Sequence, residues 1–213
     1  WVQHVSSVIR GAVGIADSLM LGHPMLVHCS DGWDRTSQLT ALSQLLLDPY
    51  YRTIDGFITL VQKEWCAFGH KFEDRTGRTS HSKEASPVFL QFLDCAWQVH
   101  RQYPTNFEFS AYFVTFIAQS MQSGLFANFR RNCERERYRT KRNIGAYEDM
   151  ASDDFDFTTL SCYTQLLLRT SNMGALLVNT EYTPPTPTQQ LLHYVRPSYA
   201  LHDLGLWREG LSG

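Results

Sequence analysis

Apolar residues recur with helical spacing in five stretches of the chain. From Trp1 to Leu21 they fall at positions 1, 2, 5, 8, 9, 12, 13, 16 and 19, one face of a helix. Gly22 ends that pattern and His23-Pro24 blocks its continuation. Leu39, Leu42, Leu45 and Leu46 mark a second helix, running from Thr36 to a stop at Asp48-Pro49. Ile54, Phe57, Ile58, Val61 and Trp65 mark a third, with Thr53 as its N-cap. Ser86-Pro87 suits an N-cap and first turn, and opens a fourth that Pro104 stops after about Gln102. The fifth, Ser110 to Ser123, is apolar nearly all round, which predicts burial, and Gly124 closes it.

Met25-Leu26-Val27 breaks the helical rule and reads as a short buried strand. Phe68 to Ser86 has no apolar period and carries Gly69, Gly77 and the polar run 78–84, which predicts a loop. One strand among many helices predicts an α/β domain whose other strands lie upstream of Trp1. The chain starts inside a helical pattern and without methionine, so a fragment of a longer protein is expected. Arg130 to Arg142 mixes seven basic with two acidic residues, and Glu148 to Asp156 is acidic; both read as solvated helix end and loop. Thr183-Pro184-Pro185-Thr186-Pro187-Thr188 is a stiff connector. No internal repeat is visible.

Composition narrows the class without naming it. The 213 residues can build one sizeable core, and 43% hydrophobic with 13% aromatic content fits a globular domain. A net charge of −2 gives no overall basic field for nucleic acid or an anionic membrane. Five cysteines without a dense framework argue for free thiols in a reducing compartment. No apolar run approaches the ~20 residues that span a bilayer, and no signal-peptide pattern stands at the start.

The chemistry concentrates in Val27-His28-Cys29-Ser30-Asp31-Gly32-Trp33-Asp34-Arg35-Thr36. A strand, a tight loop and a helix N-terminus aim unpaired N–H groups and a helix dipole at one spot, a natural anion site. Cys29 there has a stabilised thiolate, and Arg35 can fork two donors onto a phosphate. The six-residue step from cysteine to arginine recurs by accident at Cys95/Arg101 and Cys133/Arg139. Neither follows a strand or spans a glycine, and Cys95 lies in a helical pattern where residues six apart diverge. Context singles out Cys29, which is otherwise a buried structural thiol. Thr36 can bond the sulfur, cap the helix, or both. Of the two loop acids, Asp31 before Gly32 reads as a turn-stabilising side chain. A bare carboxylate repels a phosphate dianion, so one acid is protonated on binding or turned away. Trp33 packs on the loop or lines the pocket mouth. His28 shapes the loop, and His70, Lys71 and Arg75 form a solvated basic loop on their own merits.

His28 to Thr36 resembles the phosphate loop of the myotubularin phosphoinositide 3-phosphatases. The likeness continues through Tyr50-Tyr51-Arg52-Thr53, Lys63-Glu64-Trp65, Phe68-Gly69-His70-Lys71-Phe72, Ser86-Pro87-Val88-Phe89-Leu90-Gln91-Phe92 and Pro104-Thr105-Asn106-Phe107-Glu108-Phe109. It is dense over 1–129, thin through a divergent region at 130–190, and weak over 191–213. The resemblance implies a cysteine-phosphatase-like α/β fold, a strand–phosphate loop–helix core with many helices, and part of the sheet upstream. It implies removal of the 3-phosphate from phosphatidylinositol 3-phosphate and the 3,5-bisphosphate, with no metal and no cofactor. Cys29 would be the nucleophile, Arg35 the phosphate clamp and Asp34 the acid for the leaving inositol oxygen. Ser30, Asp31, Gly32, Trp33 and Thr36 would complete the loop around the phosphate. Lys71 and Arg75 would meet a further phosphate on the ring, Lys71 as a point charge where the family has a fork. Thr76-Gly77-Arg78 replaces the family's Gly-His-Gly. The implied partner is a phosphoinositide headgroup rather than nucleic acid, at endosomal membranes reached from the cytoplasm, with membrane contact and any oligomerisation supplied by segments outside these residues. Competing readings are a protein tyrosine or dual-specificity phosphatase, a catalytically dead scaffold, and a single-cysteine sulfur transferase.

Overall fold

The helical pattern at the start of the chain forms α1, Val2–Met20, in a computed structural model that describes residues 1–77, 83–136, 174–186 and 194–211. Its buried stripe, from Val5 through Val8, Ile9, Ala12, Val13 and Ile15 to Ala16, packs on α2, Arg35–Leu47. α2 buries Ala41, Leu42, Leu45 and Leu46, so the element whose N-terminus receives residues 28–34 is clamped along its length. The third expected helix is α3, Ile54–Val61, and Thr53 caps it by accepting the Gly56 N–H at 3.0 Å. The helix then widens into a π-helical turn, Gln62–Ala67. Such turns recur at functional sites because they re-aim the residues that follow.

The segment expected to be a loop contains a single helical turn, α4, Phe72–Arg75. The next helix, α5, spans Val88–Gln102. Pro87 rather than Ser86 precedes it, and no side chain caps it; the Ser86 N–H bonds the Arg75 carbonyl at 3.0 Å instead. α6, Ala111–Ser123, starts on a Ser110 cap and ends at left-handed Gly124. Between these helices Trp65, Phe72, Phe89 and Phe92 form an aromatic cluster that continues through the stacked Phe92–Phe57 pair to Phe107, Phe109 and Phe113. Each is buried, which contributes roughly 1.5–3 kcal/mol per side chain relative to exposure.

Two buried polar groups tie α2 down. Arg52, 0% exposed, donates to the Leu45 and Leu46 carbonyls at 2.9 and 3.0 Å, satisfying orphan carbonyls at the helix C-terminus. Glu64 in the π turn accepts from Thr40 and Gln44 of α2, both at 2.9 Å. Downstream, the Asn179 side chain bonds the Pro104 and Phe107 carbonyls, and residues 194–207 lie along α1, α2 and α5. There Trp207 stacks on Trp97 with centroids 6.3 Å apart.

The expected strand is absent. Met25-Leu26-Val27 forms no regular element, with Leu26 87% exposed rather than buried. A strand needs a neighbour for its ladder, and the one β-type pairing among the described residues is the isolated bridge of Phe109 with Val178. The described fold is therefore a helical assembly, consistent with the helical part of a cysteine-phosphatase-like domain. Most of 130–190, including the acidic stretch at 148–156 and the end of the charged run at 137–142, lies outside the described residues.

Candidate active site

Between α1 and α2 the chain turns tightly through residues 28–34 and delivers them to the N-terminus of α2. Gly32, at φ +95°, makes that turn; a side chain there is strained. The conformation aims the Gly32 N–H at the Cys29 sulfur, 3.2 Å away. Thr36 sits in the first turn of α2, not at its cap, which is Asp34. Its hydroxyl is buried and makes no well-directed hydrogen bond, yet it stands near enough to the Cys29 sulfur to favour the thiolate. That hydroxyl is the largest influence drawing the Cys29 thiol down to about 7; partial burial opposes it, and the N–H groups of Gly32, Asp31 and Thr36 add to it. Cys95, fully enclosed in α5, is the opposite case: burial pushes its thiol up. The thiol that reads as special in the sequence thus has surroundings that favour a thiolate, and Cys95 has the reverse.

A titration follows from this contrast. A thiolate alkylates and a thiol does not, so the iodoacetamide rate of Cys29 should rise with pH through a midpoint near 7. Removing the largest stabilising contact with Thr36→Ala should move that midpoint upward, toward the ~8.5 of an ordinary thiol. An unchanged midpoint in Thr36→Ala would leave the backbone N–H groups as the sole cause.

Arg35 is exposed and folds back over the loop, donating to the Ser30 hydroxyl at 3.1 Å. Ser30 in turn donates to Asp31 at 2.9 Å, so Asp31 lies within the loop's own hydrogen bonding as a turn residue does. His28 makes only a 3.4 Å contact with the Cys29 carbonyl. Trp33 is half-buried, and the Lys71 ammonium stands 4.7 Å from its ring centroid. That distance is within cation–π range, so Lys71 borders the loop through Trp33.

Asp34 and Arg75, 41 residues apart, meet directly. The Arg75 guanidinium grips Asp34 Oδ2 with Nε at 3.0 Å and Nη2 at 2.8 Å, and its Nη1 holds Glu84 at 2.9 Å. His70 Nδ1 lies 2.8 Å from Asp34 Oδ1. Burial opposes ionisation of Asp34, but the close His70 ring and the bonds from Arg75 outweigh it and hold the carboxyl below its usual range. Asp34 is accordingly a carboxylate at neutral pH, and Arg75 faces the loop's own acid and Glu84. Both Lys71 and Arg75 lie against the phosphate loop, as their spacing of four on a helical turn allows.

His70 is what sequence reasoning missed. It reads as part of a solvated basic loop, yet it is 1% exposed, its ring set edge-on to Trp65 and Phe72 with centroids 4.9 and 4.7 Å apart. The one local signal is its place between aromatic residues at 65, 68 and 72.

Residues 1–138 match the model of the myotubularin-like phosphatase domain. The chain is 38% identical over 213 residues to myotubularin of Xenopus tropicalis, covering 97% of this chain and 31% of that protein. It is 46% identical to rat myotubularin, over 74% of this chain and 27% of that protein. It is also 46% identical to the mouse phosphatidylinositol-3,5-bisphosphate 3-phosphatase MTMR2, over 73% of this chain and 25% of that protein. The chain thus spans under a third of the length of these relatives. With residues 1–138 matching the domain model and this breadth of identity to its members, the chain belongs to the myotubularin family.

Proposed function

We propose that this protein is a phosphoinositide 3-phosphatase, acting on phosphatidylinositol 3-phosphate and phosphatidylinositol 3,5-bisphosphate through a phosphocysteine. The carrying observation is the Cys29 sulfur, drawn down to about 7 and set one loop before Arg35 at the start of α2. Relatives named as phosphatidylinositol-3,5-bisphosphate 3-phosphatases, in mouse and in Caenorhabditis elegans, support the substrate class.

The Cys29 thiolate attacks phosphorus, an S–P bond forms, and the bond from phosphorus to the inositol oxygen breaks. Loop N–H groups and Arg35 take up the charge on the equatorial oxygens, Arg35 leaving Ser30 to do so. The departing alkoxide takes a proton from Asp34. Water then attacks the phosphocysteine, Asp34 recovers the proton, and the thiolate leaves with its charge met by Thr36. A dianion arriving beside Asp34 raises the carboxyl's proton affinity and competes for Arg75, which is how a group held as a carboxylate acquires the proton it donates. Lys71, and Arg75 once drawn from Asp34, supply charge-assisted contacts to a second ring phosphate. The lipid substrate sets the action at a cytoplasmic, endosomal membrane surface.

The test is phosphate release by the full-length protein from each phosphoinositide isomer and from a phosphotyrosine peptide. Salt is held fixed, because exposed charge contacts are screened. Turnover confined to lipids carrying a 3-phosphate is expected. Faster turnover of the peptide would make this a tyrosine phosphatase, and no turnover of any substrate would make it a scaffold.

A further inference from the structure

We infer that His70 is a positioning residue for the reaction: its buried Nδ1–H pins the Trp33 carbonyl and the Asp34 carboxyl together and so aims Asp34 at the leaving oxygen. This rests on the reading of Asp34 as the acid. His70 Nδ1 lies 3.0 Å from the Trp33 carbonyl oxygen and 2.8 Å from Asp34 Oδ1. Two acceptors facing one ring nitrogen require the proton on that nitrogen, because a bare lone pair repels both. The N–H is directed best at the Trp33 carbonyl, which leaves Oδ1 close to it but off its axis. Oδ2 is taken by Arg75. The contact at Oδ1 restrains the carboxyl once substrate draws Arg75 from Oδ2, which frees Oδ2 to carry the proton, and the bond to Trp33 fixes the peptide from which Asp34 springs.

The donor is itself held rigidly. Gly69, at φ +81°, turns the chain after the π-helical turn, and the His70 N–H bonds the Trp65 carbonyl at 2.9 Å. Trp65 and Phe72 pack edge-on around the ring, leaving it 1% exposed. An imidazole caged in this way costs nothing to reorganise during the reaction, whereas a misplaced acid loses rate steeply. Displacement of about 1 Å can cost on the order of 10²-fold.

The experiment compares full-length variants on phosphatidylinositol 3-phosphate and on an aryl phosphate whose leaving group needs no proton. His70→Phe fills the aromatic cage without a donor; His70→Asn returns an amide N–H close to the place of Nδ1. His70→Phe should lower kcat on the lipid on the order of 10²-fold with KM little changed. It should lower kcat far less on the aryl phosphate. His70→Asn should recover most of the lipid rate, and the double variant Asp34→Asn/His70→Phe should be no slower than Asp34→Asn alone. Should His70→Phe not fold, His70→Gln, which carries its donor one carbon farther out, replaces it with the same expectation. Equal losses on both substrates, or a full additive loss in the double variant, would overturn the inference and leave His70 a packing residue. Failure of the underlying reading is separately visible, since Asp34→Asn would then itself slow both substrates alike.

Discussion

Cys29→Ser should take phosphate release to background, a loss on the order of 10⁴–10⁶-fold, the scale seen when a nucleophile is removed. The reason lies in ionisation. The Cys29 thiol, drawn down to about 7 by the Thr36 hydroxyl and loop N–H groups, is substantially thiolate at neutral pH. A serine hydroxyl in the same place stays protonated and is a far weaker nucleophile. The anion site survives the change, because Arg35 and the loop N–H groups are untouched, so lipid headgroup binding should remain measurable. Cys95→Ser and Cys133→Ser should keep turnover: Cys95 is sealed inside α5 with its thiol pushed up by burial, and Cys133 lies outside the loop. A Cys29→Ser enzyme with substantial single-turnover rate would mean that sulfur does not attack phosphorus.

Asp34→Asn should slow lipid hydrolysis by about 10²–10⁴-fold, the usual contribution of general acid catalysis. An asparagine keeps the shape but has no acidic proton for the inositol alkoxide. The loss should shrink on an activated aryl phosphate, whose leaving group departs as an anion unaided. The ion pair makes this test sharp. Arg75 and His70 together hold Asp34 as a carboxylate, a state that cannot donate until substrate arrives. If both substrates lose equally, Asp34 is a buttress that holds Arg75 and shapes the loop, and the proton comes from elsewhere.

The helices were legible because each carries a periodic apolar face and local signals: Thr53 caps where its side chain predicts, though Ser86 does not, and Gly124 adopts the left-handed turn it is suited to. The strand was not, because three apolar residues cannot say whether a partner lies beside them. Met25, Leu26 and Val27 find none among the described residues, so their hydrophobicity does not translate into burial. Cys29 and Arg35 could be read from the loop itself, since their chemistry is local. The grip of Arg75 on Asp34 could not, because it spans 41 residues and joins segments that the fold alone brings together. His70 is the same case: its burial is made by Trp65, Phe72 and the phosphate loop, all brought together only by the fold.

The central claim is that phosphate passes through Cys29, and one measurement meets it directly. Full-length protein is mixed with phosphatidylinositol 3-phosphate, quenched in acid within a single turnover, digested, and read by mass spectrometry. The account predicts one phosphoryl group on the peptide containing Cys29, gained at the rate of inositol lipid release and lost as inorganic phosphate appears. Phosphate release with no phosphoryl group ever on Cys29, or with the group on another residue, would contradict it.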